Sequence, residues 1–160
     1  MSCTLGRAAV VDRLTKLAVA GRTVLLLGPV GIGKTTILGM LASALSETGR
    51  PVGLCHQASS LGDVIAALGR AYPEIGTRAK TQRALRGALR LAVDHRPGTL
   101  LLDHLVGAGT ALKGFLRSLQ GTGLGVVIAA DIEHERDHAR IRAMKIASTP
   151  DGLIKGLAGA

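Results

Sequence analysis

The stretch TVLLLGPVGIGKTT, residues 23 to 36, decides how the rest of this chain is read. Its opening, TVLLLG, is apolar without alternation, as in a strand buried on both faces. It runs into a segment, 34 to 48, whose Ile37, Leu41, Ala44 and Leu45 recur at helical spacing on one face. Between strand and helix, GPVGIGKTT fits the spacing G-x-x-x-x-G-K-S/T, with Gly28, Gly33, Lys34 and Thr35 in register. Gly28, Gly31 and Gly33 let the backbone wrap an anion with amide hydrogens pointing inward and no Cβ in the way. Pro29, Val30, Ile32 and Thr36 complete the loop. Lys34 can reach terminal phosphates, the Thr35 hydroxyl can ligate magnesium, and the helix that starts here adds its positive end. The strand before and the helix after are what separate a phosphate-binding loop from a chance glycine-rich turn.

Working outward, residues 8 to 19 set Val10, Val11, Leu14, Leu17 and Ala18 at helical spacing, and Gly21 ends that helix. Downstream of the loop, Pro51 leads into a second strand, VGLC, followed by the helix SSLGDVIAALGRA, with Ser60 as N-cap and Asp63 three residues on. Residues 78 to 95 predict an amphipathic helix with Leu85, Leu89 and Ala92 on one side and Arg83, Arg86 and Arg90 on another. RPG (96 to 98) breaks it. The third strand is TLLLD (99 to 103), ALKGFLRSLQ (111 to 120) is helical, and GVVIAAD (125 to 131) is the fourth strand. A charged helix, IEHERDHARIR (132 to 142), leads to a fifth strand around 144 to 147. Alternation of this kind predicts an α/β fold: a three-layer sandwich around a five-stranded, mainly parallel sheet, with residues 1 to 160 as one nucleotide-binding domain.

Asp103 closes the apolar run TLLL, where a carboxylate can hold the water shell of a magnesium ion. With these residues in view, LGRAAVVDRLTKLAVAGRTVLLLGPVGIGKTTIL resembles the start of AAA+ and STAND-type P-loop ATPases, including origin-recognition-like and transposition-helper ATPases. The resemblance covers nearly all of the chain. It implies ATP and Mg2+ as ligands, a Walker B role for Asp103, and a Gly-Arg pair, Gly6 and Arg7, on a segment that helps enclose the adenine. It also implies an arginine that reaches a neighbouring subunit's γ-phosphate, for which Arg136, Arg140 and Arg142 are the candidates, and hence a homo-oligomer whose hydrolysis depends on assembly.

The chain departs from that pattern at particular places. The acidic residue after the Gly-Arg pair is Ala8, and the glutamate after the Walker B aspartate is His104. The strand end where the family carries an Asn, Thr or Arg sensor holds Asp131; the chain contains no Asn. A C-terminal helical lid is not expected within these residues. Binding is thereby preserved and hydrolysis weakened. His104 can accept a proton as a neutral imidazole, but lacks the negative charge with which a glutamate orients water.

Composition narrows the partners. Net charge is +9 with a pI near 10.6, and arginine outnumbers lysine. A basic balance favours anionic partners, and Arg83, Arg86 and Arg90 are the stripe that could rest on nucleic-acid phosphates. Cys3 and Cys55 are too few for a disulfide framework or a cysteine-based zinc site. The N-terminus lacks a signal-peptide core and no apolar run approaches membrane length, so a cytoplasmic protein with no membrane partner is expected.

HERDH, residues 134 to 138, matches H-E-x-x-H to the letter, the zincin helix with two histidine ligands and a general-base glutamate. No His or Glu follows it to complete the ligand set, and its flanks are charged where a zincin buries its helix. A guanine-reading [NT]KxD and an LSGGQ-like signature are both missing, against a GTPase and an ABC cassette. Two readings stand beside the ATPase: a P-loop kinase acting on a small molecule or nucleotide, for which no acceptor motif is visible, and a nucleotide-gated binding module that does not hydrolyse.

Overall fold

The computed structural model describes residues 2–75, 81–105, 110–132, 136 and 153–155. The phosphate-loop stretch sits where its pattern required. Strand β1 (Thr23–Gly28) is buried along its whole length and helix α2 (Lys34–Glu47) follows the loop. Ahead of β1, helix α1 (Ser2–Val19) starts earlier than the apolar periodicity alone suggested. Strand β2 (Val52–Cys55) leads to α3 (Leu61–Ala71), α4 (Gln82–His95), β3 (Thr99–Leu102), α5 (Thr110–Ser118) and β4 (Gly125–Asp131).

These four strands form a parallel sheet in the order β2-β3-β4-β1, each paired with its neighbour in register. A short strand, β5 (Leu153–Lys155), runs parallel to β1 on its outer side. It comes later in the chain than the fifth strand expected at 144 to 147, a stretch outside the described residues.

Because successive side chains of a strand point to opposite faces, the apolar runs supply two cores at once. Val24, Leu26, Leu101, Val127 and Ala129 pack with Val11, Leu14 and Ala18 of α1 and Ile37, Leu38, Leu41 and Leu45 of α2. Leu25, Leu27, Leu100, Leu102, Val126 and Ile128 face the other way, against α3, α4 and α5, where Phe115 is fully buried. Helices therefore cover both faces of the sheet.

The helix ends show how local signals placed these layers. Ser60 caps α3: its hydroxyl accepts from Asp63 N, and the Asp63 carboxylate accepts from Ser60 N, closing a capping box. Helix α4 begins later than 78 because Thr81 caps it, accepting from Ala84 N at 3.1 Å. Past α3, the Tyr72 hydroxyl donates to Arg96 O at 2.7 Å, joining the end of α3 to the turn before β3, and burial pushes its pKa up to about 12. No helix among the described residues is long and apolar enough to cross a membrane.

Candidate functional site

The strand order carries the ends of β1, β4 and β3 side by side along the carboxyl edge of a parallel sheet, the edge at which such sheets bind ligands. From β1 comes the loop 28 to 33, from β4 the terminal Asp131, and just past β3 come Asp103 and His104. They enclose a cleft of ≈ 250 Å³ lined by Gly31, Gly33, Lys34, Thr35, Thr36, His104 and Asp131.

In the loop, Gly31 has φ 83° and Gly33 has φ 102°, left-handed conformations that suit glycine. Gly33 is also the N-cap of α2 and offers no side chain to cap it, so the first turn of that helix faces the cleft with its amides. Pro29, Val30 and Gly31 are exposed at the rim, Ile32 is half-buried, and Val30 stands out into solvent. A Cβ on Gly33 would stand 2.9 Å from Arg7 Nη2, so the Arg7 guanidinium of α1 lies directly against the loop. Gly6 precedes it in α1.

Lys34 is only 6% exposed despite its charge. Its Nζ donates to Gly28 O at 2.8 Å and Pro29 O at 2.7 Å, and pairs with Asp131 Oδ1 at 2.8 Å. Burial pushes the Asp131 carboxyl up, but the hydrogen bond and charge of Lys34, joined by those of His104, outweigh it and hold the group below the ordinary carboxylate range.

Asp103 is 3% exposed and accepts from the Thr35 hydroxyl, Oγ1 to Oδ2, at 2.8 Å. Its own backbone is held by β2, Asp103 N donating to Cys55 O at 2.8 Å. The other carboxylate oxygen accepts from His104 N at 2.9 Å. That bond accompanies a left-handed turn at His104, φ 50°, a conformation His adopts more readily than most side chains. The turn leaves the imidazole 45% exposed with Nδ1 3.4 Å from Asp131 Oδ2 and Nε2 3.9 Å from Asp103 Oδ2.

Lys34, Thr35, Asp103, His104 and Asp131 thus meet at one place, as a chain of contacts from lysine to aspartate to histidine to aspartate to threonine. The sequence pattern singled out every member but not the Lys34–Asp131 pair, since nothing local links a loop lysine to a strand end so far downstream. Nor did it foresee Arg7 beside Gly33. Arg136 is helical and exposed, while Arg140, Arg142, His134 and His138 lie outside the described residues. Arg83, Arg86 and Arg90 are exposed on α4 and do not line the cleft.

No protein-family model matches the chain, and no curated protein matches it in sequence. Solved structures do match. The DnaC helicase loader is 17% identical at a TM-score of 0.50, over 84% of this chain and 73% of that one. The Aeropyrum pernix ORC2 protein, solved in ADPNP–ADP complexes, is 16% identical at a TM-score of 0.54, over 96% of this chain but only 46% of its own length. The likeness is one of fold, and it agrees with the α/β architecture, a parallel sheet covered by helices, that the alternation of strand and helix predicted.

Proposed function

We propose that the chain is a cytoplasmic ATP-binding protein, a P-loop ATPase of the AAA+/STAND type whose hydrolysis is weak or depends on assembly, with residues 1 to 160 acting as one nucleotide-binding unit. The observation that carries this reading is the 2.8 Å bond between the Thr35 hydroxyl and the Asp103 carboxylate. It pairs a loop oxygen with a buried strand-end oxygen beside a glycine loop and a lysine. Magnesium is a hard cation that takes oxygen ligands and keeps several waters, so a hydroxyl and a carboxylate suit it. Thr35 and Asp103 would hold that ion, which when bound supplies neutralisation of phosphate charge. The loop amides and the start of α2 would cradle the phosphates, Lys34 would neutralise them, and Arg7 lies close enough to the loop to assist.

Weak hydrolysis follows from His104. An imidazole beside Asp131 can position or polarise water but brings no negative charge of its own. Arg136, Arg140 and Arg142 remain candidates for a finger supplied between subunits of a homo-oligomer. The +9 charge, the exposed Arg83, Arg86 and Arg90, and the likeness to a helicase loader favour a role on DNA. A nucleotide-gated module without hydrolysis is the second reading, favoured by the same His104.

The test is phosphate release from ATP with magnesium, across a protein concentration series, with and without DNA. Release per protomer that climbs with concentration or DNA is expected; tight ATP binding with no release would leave the switch. Lys34→Ala should abolish tight triphosphate binding with the fold intact, and retained affinity would overturn the reading. An unchanged rate in His104→Ala would remove the imidazole from any catalytic part.

A further inference from the structure

An ammonium group has three hydrogens to donate, and in Lys34 all three are engaged. Two go to carbonyls of the lysine's own loop, Gly28 O and Pro29 O, and the third to Asp131 Oδ1. Nothing is left for a ligand. The lysine of such a loop serves by reaching the β- and γ-phosphates, so a diphosphate or a triphosphate can engage Lys34 only by drawing it off these partners. Of the three, Asp131 resists most, because it alone adds the attraction of an opposite charge to a bond that the ammonium already strengthens.

Asp131 lines the same cleft as Lys34 but is anchored in the sheet. It is the last residue of β4, in register with Gly28 on β1, and its second oxygen faces His104 Nδ1 at 3.4 Å. It cannot serve as an ordinary strand-end sensor. A carboxylate has no hydrogen to give a phosphate oxygen, and close to a terminal phosphate it is a like charge.

We propose that Asp131 determines specificity at this site by latching Lys34: either nucleotide must draw Lys34 off the pair, but only a triphosphate also brings its γ-phosphate against the carboxylate left behind. The latch rests on the nucleotide-binding reading above and adds to it a bias against the terminal phosphate. It also gives the product of hydrolysis a stronger hold on the site than the substrate has.

The experiment is equilibrium binding of ADP and of a non-hydrolysable ATP analogue, each with magnesium, to the wild-type chain, Asp131→Asn and Asp131→Ala. Wild type is expected to bind the diphosphate at least as tightly as the triphosphate analogue. Asp131→Asn keeps the shape, removes the charge and adds donors; it should raise affinity for the analogue about tenfold more than it raises affinity for ADP. Asp131→Ala should move the ratio in the same direction, and melting curves report whether each variant is folded. If wild type binds both nucleotides and neither folded variant gains for the analogue, the latch is wrong and the nucleotide reading stands. If neither wild type nor variants bind either nucleotide, the nucleotide reading fails and the latch with it. Should both variants fail to fold, the wild-type ratio decides: a preference of about tenfold or more for the triphosphate overturns the latch.

Discussion

At Gly33 one absent side chain governs both the backbone and a neighbour. Its φ of 102° is costly for any residue with a Cβ, and that Cβ would crowd the Arg7 guanidinium. Gly31 has a similar φ, 83°, but open space where its Cβ would go. The two alanine variants therefore separate backbone strain from crowding. Both Gly31→Ala and Gly33→Ala should lose roughly 1–3 kcal/mol of stability, but Gly33→Ala should also displace Arg7 and lose more nucleotide affinity. Denaturant unfolding and nucleotide titration of the pair check this; equal losses of affinity would mean that Arg7 has no part in binding. The need for glycine at these positions was legible from loop spacing alone. The identity of the neighbour was not, because Arg7 arrives on a separate helix.

Helix α3 shows an element whose start is written locally. Ser60 and Asp63 close the capping box three residues apart, so the helix begins where the pattern placed it. Hydrogen bonds from Ser59 and Ser60 hold the Asp63 carboxyl below its ordinary value. The folded chain therefore gives up this proton at a lower pH than the unfolded chain does. The stability that Asp63 contributes is fully present above the ordinary aspartate range and is lost as pH falls through the lowered folded value. Asp63→Asn should melt below wild type near neutral pH, and the gap should close in acid once the pH has fallen below the lowered folded value. A gap that persists in acid would mean the effect does not come from the ionised carboxylate. Strand β5 is the opposite case. Three residues beside β1 carry too little pattern to announce themselves, and pairing with a neighbour rather than local periodicity makes them a strand.

At the scale of the molecule, the site depends on how α1 and the strands close on one another. Gly125, the first residue of β4, lies against α1 so closely that a Cβ would fall on the Ala18 carbonyl. Gly125→Ala should push α1 away from the sheet at a cost of roughly 1–3 kcal/mol, and because Arg7 rides on the same helix, nucleotide affinity should fall with stability. Denaturant unfolding and nucleotide titration check both, and a stable variant would show that α1 is free to shift. The phosphate loop, the apolar strands, the Asp103 carboxylate and the alternation of strand and helix could all be read from order along the chain, because each depends on spacing within one turn or one strand. The union of Lys34 with Asp131, the approach of His104 to that same carboxylate and the seat of Arg7 on Gly33 could not. The first two exist because β4 lies between β1 and β3, and the third because α1 packs on the sheet. The hydrogen-bond ladders of one sheet, unlike any local period, set three distant strand ends side by side.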